Sequence, residues 1–209
     1  MENVKRILTV VGVVILFSSE FYAIGLTNNS DSLKAKVFRE WALEKVQQKD
    51  TTAALLLLEE SIYTNPRDWM SFYNRATLHY NLGESAKAIS DINRAIELKS
   101  DFVNALYFRS MIFYFLTDYK QSESDLNEAL DIAPESSFLL RKRGAVRYNL
   151  QKRLSALKDF NESINLNPFD PISFYNRYVT KDALGDDKGS KQDLLRALSL
   201  GFNPNMVEY

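Results

Sequence analysis

The sequence predicts an all-α fold built from one helix–turn–helix unit that is repeated five times. Apolar residues recur every three to four positions from Ala35 onward, which is the spacing of an amphipathic helix, and no stretch there alternates apolar and polar residues as a strand does. A period of 34 residues separates Pro134 from Pro168, and twice that period separates Pro66 from Pro134. Small residues recur at three fixed positions of the same period.

Composition limits the chemistry that the chain can perform. Its 209 residues, 45% of them hydrophobic, are enough to bury a core. The 26 Lys and Arg nearly balance the 27 Asp and Glu, so no overall positive field attracts nucleic acid. With no Cys and one His, the chain has no disulfides, Cys-based zinc sites or multi-His metal centres. We therefore predict no enzymatic activity, no cofactor, no metal and no nucleic-acid partner.

Residues 1–25 are predicted to be a signal peptide. Lys5 and Arg6 precede an apolar run of signal-peptide length, from Ile7 to Phe17. A cut after Gly25 would place small residues at the −3 and −1 positions. Cleavage there would leave an exported protein, either periplasmic or secreted.

An uncleaved membrane anchor is the main alternative for this segment. Residues 7–26 approach the length that spans a bilayer and would associate with the membrane, although Glu20 disfavours a spanning helix. An anchor would hold the chain on the membrane, facing outside the cytoplasm. A buried core helix is the third alternative, and the absence of an amphipathic face argues against it.

The 34-residue period divides residues 35–204 into five units, each with two amphipathic segments around a turn. In the second unit Gly83 stands at that turn, where it can end the first helix. A Pro near the end of a unit, such as Pro66, stops the second helix. The predicted organisation is a linker at 26–34, units at 35–68, 69–102, 103–136, 137–170 and 171–204, and a C-terminal tail at 205–209.

Unit positions 8, 20 and 27 hold Ala, Ser or Gly in fourteen of fifteen instances, and Tyr178 is the exception. Short side chains allow helix axes to approach to about 8 to 10 Å. We therefore predict that these positions are helix contacts. They hold Ala42, Ala76, Ser110 and Gly144, then Ala54, Ala88, Ser122, Ala156 and Ser190, and finally Ser61, Ala95, Ala129, Ser163 and Ala197.

On these residues the chain resembles the tetratricopeptide repeat family, whose 34-residue unit has an aromatic residue at position 4, small residues at 8, 20 and 27, Gly at 15 and Pro at 32. The resemblance covers residues 35–204 and is plainest in the Ser-Phe-Tyr-Asn-Arg segments at 71–75 and 173–177. It departs at the turn position, which holds Lys49, Thr117 and Gln151 in three units. The resemblance implies a right-handed α-solenoid whose first helices line a concave groove.

The resemblance also implies which side chains face that groove. Tyr recurs at unit positions 5 and 12, and Asn recurs at position 6. Tyr offers contact area and a hydroxyl, and Asn can bond the backbone of an extended peptide. We therefore expect a protein or peptide partner there. The predicted groove residues are Tyr73, Asn74, Tyr80, Tyr107, Phe108, Tyr114, Arg141, Tyr148, Tyr175 and Asn176.

Taken together, the sequence predicts an exported, non-catalytic protein-interaction module that works within a cell-envelope assembly. The alternative is a structural subunit that joins a complex through its end or convex faces, with no groove ligand. His79 is expected to pack between helices rather than to act as a ligand or base.

The C-terminal end of the array is predicted to need cover, because only five residues follow the fifth unit. Either the tail folds back over the leucines of the last helix or a second copy packs there, which would give self-association. The leucines are Leu194, Leu195 and Leu198, and the covering residues would be Phe202, Met206 and Val207.

Overall fold

The computed structural model describes residues 29–203, and in that range the chain forms ten α-helices and no strand. The predicted all-α fold of five helix pairs is therefore confirmed, and its class is a helical-repeat solenoid. Each odd-numbered helix packs against the helix that follows it. The helices are α1 (Asn29–Gln47), α2 (Thr51–Thr64), α3 (Trp69–Asn81), α4 (Ser85–Leu98), α5 (Val103–Phe115), α6 (Tyr119–Ile132), α7 (Ser137–Asn149), α8 (Arg153–Leu166), α9 (Pro171–Asp182) and α10 (Asp187–Ser199).

The chain divides into two compact units at the Ser100–Asp101 junction. The N-terminal unit contains α1 to α4 and the C-terminal unit contains α5 to α10. Each has its own apolar core. In the N-terminal unit Phe38, Trp41 and Leu55 pack against Ala42, Ala54, Leu57, Leu58 and Leu78, and in the C-terminal unit Tyr175 and Leu200 pack against Ile164, Phe174, Ala197 and Phe202.

The predicted small-residue contacts are buried. Ala54, Ala95 and Ala156 have no exposed surface, and their short side chains let the paired helices approach closely. Gly144 of α7 packs directly against the Phe160 ring of α8, because a Cβ added at this glycine would lie 2.6 Å from that ring. Tyr178, the one large residue in the pattern, is half-buried.

Each turn within a helix pair is closed by one residue in the left-handed backbone region. Gly83 and Gly185 have φ values of 78° and 81°, and Lys49, Thr117 and Gln151 each have a φ of 61°. The three departures from Gly therefore keep the turn geometry that Gly provides elsewhere. A non-Gly residue in this conformation costs roughly 1 to 2 kcal/mol.

The first helix begins earlier than the sequence predicted. Residues 29–34, assigned to a linker, are helical because nothing in them breaks a helix and their charges favour one. Asp31 lies in the first turn, where a negative charge complements the helix dipole, and the Lys34 ammonium is 3.4 Å from its carboxylate. The segment 1–25 and the tail 205–209 lie outside the described residues. Among the helices of residues 29–203, none is long and apolar enough to cross a membrane.

Candidate functional site

An arginine–aspartate pair joins the two helices of each of the last four pairs. The arginine lies at unit position 7, and the aspartate follows sixteen residues later at position 23. Both carboxylate oxygens accept hydrogen bonds from the guanidinium, at 2.6 to 3.1 Å. These bonds fix the first helix of each pair against its second helix. The pairs are Arg75–Asp91, Arg109–Asp125, Arg143–Asp159 and Arg177–Asp193.

The same two positions are apolar in the first helix pair, where Trp41 and Leu57 belong to the N-terminal core. The arginine–aspartate pairs were not predicted from the sequence. Their signal was present, because Arg recurs at position 7 and Asp at position 23 with the 34-residue period.

The third and the last pair differ in the residue at unit position 11 and in the pKa of their aspartate. Burial favours the neutral form of Asp193, but hydrogen bonds from Arg177 and Lys181 outweigh burial and hold the pKa of this carboxyl below its usual range. Burial raises the pKa of Asp125 above its usual range, against the lowering effect of its bond to Arg109. Unit position 11 holds Lys181 in the last unit and Phe113 in the third unit. Asp193 therefore has a second cation from this position, and Asp125 does not.

A recess of about 50 Å³ opens among the helices of the C-terminal unit. It is lined from α5, α6, α7 and α9, and four of its residues are predicted groove residues. The structure therefore brings Tyr107, Tyr114, Arg141 and Asn176 together. The other lining residues are Ser110, Met111, Ser122, Leu126, Lys142, Val146 and Ile172.

The aromatic side chains of the recess are held by neighbours on α7. The Tyr107 ring packs edge-on against Phe138, with the ring centroids 4.9 Å apart. The Lys142 ammonium lies 6.0 Å from the Tyr107 centroid and 5.5 Å from the Phe138 centroid. The Tyr114 hydroxyl accepts a hydrogen bond from the Asn149 amide at 3.0 Å.

Two serine hydroxyls with different surroundings also line the recess. Ser110 donates a hydrogen bond to the Tyr107 carbonyl at 2.7 Å. Ser122 is 1% exposed, and its hydroxyl has no hydrogen-bond partner among the described residues. A buried polar group without a partner costs about 1 to 3 kcal/mol. The chain therefore keeps an unsatisfied hydroxyl in the wall of the recess.

Two of the residues that line the recess are charged, and both are cations. Arg141 and Lys142 line it, and no carboxylate does. The Arg141 side chain has a structural partner, because its Nε lies 2.9 Å from Asp170 Oδ2. Asp170 also accepts a hydrogen bond from Ser173 at 2.7 Å.

Ser122 and Lys142 were not predicted as site residues. Ser122 was assigned only to a helix contact, yet Ala fills the equivalent position at Ala54, Ala88 and Ala156. A hydroxyl where a methyl group suffices was the available signal. Lys142 occupies position 6, where two other units have Asn.

The remaining predicted groove residues do not line this recess. Phe108 differs from the prediction, because it is 9% exposed and belongs to the core, where burial of an apolar ring is favourable. The Asn residues at the same unit position, Asn74 and Asn176, are half-buried. Tyr148 is half-buried, and the Tyr175 ring stacks on Phe202 at a centroid distance of 4.2 Å. Tyr73, Asn74 and Tyr80 lie half-buried in the N-terminal unit, and burial raises the pKa of the Tyr73 hydroxyl.

His79 packs within its own helix pair. Its Nδ1 lies 2.6 Å from a carboxylate oxygen of Glu84, and its Nε2 lies 3.9 Å from Asp91. Hydrogen bonds from Lys87 and His79 hold the pKa of Glu84 below its usual range. Across residues 29–203, no group of three or more His, Cys, Asp or Glu side chains could hold a metal ion.

Comparison with known sequences identifies the repeat. The family model described as tetratricopeptide repeat matches residues 71–102 and 103–136. A TPR repeat-containing protein of Rhizobium etli is 32% identical over 79 residues, which are 38% of this chain and 39% of that protein. The match therefore spans well under half the length of this relative.

Solved structures share the fold at low sequence identity. MamA of Desulfovibrio magneticus RS-1, from residue 41 to its end, gives a TM-score of 0.74 at 17% identity and covers 80% of this chain and 95% of its own. PilF of Pseudomonas aeruginosa gives 0.70 at 18% identity, covering 83% and 79%. YrrB, described as a TPR protein with an unusual peptide-binding site, gives 0.69 at 15% identity, covering 78% and 84%. The direct family match identifies residues 71–136 as tetratricopeptide repeats, and the helix pairs and small-residue contacts of the remaining units resemble them.

Proposed function

We propose that the chain is a protein-interaction module whose C-terminal unit binds a peptide or an extended protein segment at the recess. The observation that carries this proposal is the convergence of Tyr107, Tyr114, Arg141 and Asn176 on one recess. Tyrosine rings give a large contact area at a low entropic cost, and the amide of Asn176 can pair with a peptide backbone. The peptide-binding site named for YrrB supports the same kind of ligand.

The proposed role is binding rather than catalysis. Two serines, Ser110 and Ser122, line the recess. No His or carboxylate lines the recess beside them to act as a general base. Ser110 is also engaged with the Tyr107 carbonyl. A recess of about 50 Å³ fits one side chain of a longer ligand better than a whole cofactor.

The proposed location is outside the cytoplasm, in a cell-envelope assembly. The support is the sequence of the N-terminal segment, where Lys5 and Arg6 precede the apolar run from Ile7 to Phe17. Cell fractionation with intact-mass measurement tests this part of the proposal. A mature protein beginning near Leu26 would support cleavage, an uncleaved membrane-bound chain would support an anchor, and a full-length cytoplasmic protein would contradict both.

A second candidate function is a structural subunit that associates through its C-terminal end. Leu195 and Leu198 of α10 are 68% and 53% exposed, which is a large exposure for adjacent apolar side chains on one helix. Phe202 covers Phe174 and Ala197 instead of these leucines. Self-association through α10 would then assemble the complex, with the recess unoccupied.

Affinity purification of the full chain from native membranes, followed by mass spectrometry, separates the two functions. The Tyr107→Ala variant should lose the partner, since an interface aromatic anchor contributes about 1 to 4 kcal/mol to binding. The matched control is Tyr63→Ala, which removes a ring that is 85% exposed in α2. The melting temperature of each variant must be measured as well, because unfolding would also abolish capture. A folded Tyr107→Ala variant that retains every partner would favour the structural subunit.

A further inference from the structure

We propose that the recess selects a ligand side chain that ends in a neutral amide, that of Asn or Gln, and that Ser122 determines this selectivity. The inference rests on the proposed function, which is binding of a peptide or an extended protein segment at the recess. It adds to that function the kind of side chain that the recess accepts. The amide would be recognised by the Ser122 hydroxyl and by the Asn176 carboxamide, both of which line the recess.

The Ser122 hydroxyl differs from those of two other helical serines in having no partner among the described residues. Ser110 donates a hydrogen bond to a carbonyl of its own helix at 2.7 Å. Ser190, at the same unit position as Ser122, donates to the Asp187 carbonyl of its helix at 3.2 Å. Ser122 is 1% exposed, and its hydroxyl makes no such bond. The lining of the recess therefore contains a buried hydroxyl that a bound acceptor atom would satisfy.

Apolar side chains make up much of the rest of the lining. Leu126 and Val146 are 1% and 3% exposed, and Met111 and Ile172 are half-buried. The methylene groups of an inserted side chain would contact these residues. A wholly apolar side chain would leave the Ser122 hydroxyl buried without a partner, whereas a side chain that ends in an acceptor would bond it. The recess therefore favours an apolar stem with a polar end.

The neutral amide is favoured over a carboxylate because the cations of the lining are already engaged. Arg141 lies beside Asp170, with 2.9 Å between its Nε and the Asp170 Oδ2. The Lys142 ammonium lies over the rings of Tyr107 and Phe138. A carboxylate that moves from water into a buried site loses solvation free energy, which only a compensating cation recovers. An amide carries no charge, and its oxygen accepts the same hydrogen bond.

The Asn176 carboxamide gives the recess a second group for the same ligand. It is half-buried in α9 and lines the recess with Ser122. A carboxamide both donates and accepts, so two amides can share a pair of hydrogen bonds. A carboxylate only accepts, and a methyl group does neither. Asn176 therefore adds to the preference for an amide over side chains of the same shape.

Fluorescence anisotropy with short peptide pools tests the inference on the full chain. Three pools carry Asn, Leu or Asp at a fixed central position, with mixed residues elsewhere and both ends blocked. A parallel set carries Gln, Met or Glu, which have the longer reach. In at least one set the amide pool should bind about tenfold more tightly than its apolar isostere, because only the amide satisfies the buried hydroxyl. The amide pool should also bind more tightly than the acidic pool of its set.

Three variants connect the preference to the named groups. Ser122→Ala should bring the affinities of the amide pool and its apolar isostere close together, because no hydroxyl is then left without a partner. Its thermal stability should be unchanged or higher, because Ala occupies the equivalent position in three other units. The matched control is Ser124→Ala, which removes an exposed hydroxyl of the same helix and should keep the preference. Asn176→Leu should weaken binding of the amide pool by about threefold.

The outcomes separate this inference from the proposed function. Equal affinity for the amide and apolar pools of both sets, with all binding lost in Tyr107→Ala, would overturn the amide inference and leave peptide binding intact. An amide preference that survives Ser122→Ala would also overturn it. Acidic pools that bind as tightly as the amide pools would show that the recess does not select a neutral group, which overturns it as well. Absence of binding by every pool would overturn both proposals.

Discussion

The guanidinium of Arg177 donates hydrogen bonds to both carboxylate oxygens of Asp193, at 2.8 and 2.6 Å, and the Lys181 ammonium lies 2.8 Å from one of the same oxygens. Asp193 is buried, so its charge is compensated by these two cations of α9 rather than by water. Replacement of Asp193 would leave these two cations without their carboxylate in a site from which water is largely excluded.

Asp193→Asn should lower the free energy of unfolding at neutral pH by about 3 kcal/mol, because it breaks a buried ion pair. The pKa of Asp193 is lowered in the folded state. Its ionised form therefore contributes stability that is present above the unfolded pKa of about 3.9 and is lost as the pH falls through the lower folded pKa. Urea denaturation at several pH values should show the wild type and the variant converging in acid. A constant difference would contradict the assignment.

Asp125 provides the contrasting case, because burial raises its folded pKa. The stability that its neutral form contributes is fully present below the unfolded pKa and is lost as the pH rises through the folded pKa. The wild type should therefore gain stability relative to the Asp125→Asn variant as the pH falls. Urea denaturation at the same pH values measures this stability difference. If the stability difference changed with pH in the same direction for Asp125→Asn and Asp193→Asn, Lys181 would not be the cause of the contrast between the two aspartates.

Thr117→Gly should stabilise the protein by about 0.5 to 1 kcal/mol. The gain comes from relief of a left-handed conformation in a β-branched residue, and it is reduced by the greater freedom of Gly in the unfolded chain. Gly83→Ala is the reciprocal change and should destabilise, although its new Cβ meets no atom within 4 Å. Thermal denaturation of both variants tests the pair. A loss of stability in Thr117→Gly would mean that its side chain contributes more than its backbone costs.

Gly144→Ala should destabilise by about 1 to 3 kcal/mol through overpacking, because the new Cβ would lie 2.6 Å from the Phe160 ring. Phe160→Leu should lose stability on its own and should also make room for the added methyl group. Thermal denaturation should then show that the double variant loses less stability than the sum of the losses in the two single variants. Additive effects would indicate that the two side chains do not compete for the same space.

Phe202→Ala should cost about 3 to 5 kcal/mol, as for other buried Phe side chains, since it removes a ring that stacks on Tyr175 and packs against Phe174. Leu195→Ala is the matched change at an exposed apolar side chain of α10 and should leave stability nearly unchanged.

If α10 mediates self-association, sedimentation should show that Leu195→Ala shifts the chain toward monomer. An unaltered oligomeric state in Leu195→Ala would argue against that surface.

The fold was predictable because its determinants recur in the sequence. Ala54, Ala95 and Ala156 stand where helices touch, and a 34-residue period shows such positions without any structural information. The start of α1 was less predictable, since helix ends depend on a few local charges such as Asp31 and Lys34.

The candidate site was predictable only in part. Tyr107 and Tyr114 could be assigned to the groove side of the first helices, because the family resemblance implies which unit positions face the groove. The unsatisfied hydroxyl of Ser122 could not be predicted, because whether it finds a partner depends on how the neighbouring side chains pack. Phe108 shows the converse limit, since the same unit position is half-buried where it holds Asn and belongs to the core where it holds Phe.

The arginine–aspartate pairs also bear on how such a chain can change in length. Each pair is formed inside one 34-residue unit, so a duplication or deletion of a whole unit carries both charges together and leaves neither one buried alone. Had the arginine of one unit paired with the aspartate of the next, loss of a terminal unit would leave one charge unpaired at the new end of the array. Gain and loss of whole units is therefore compatible with a stable interior, and engineered arrays with more or fewer units should retain every one of these pairs.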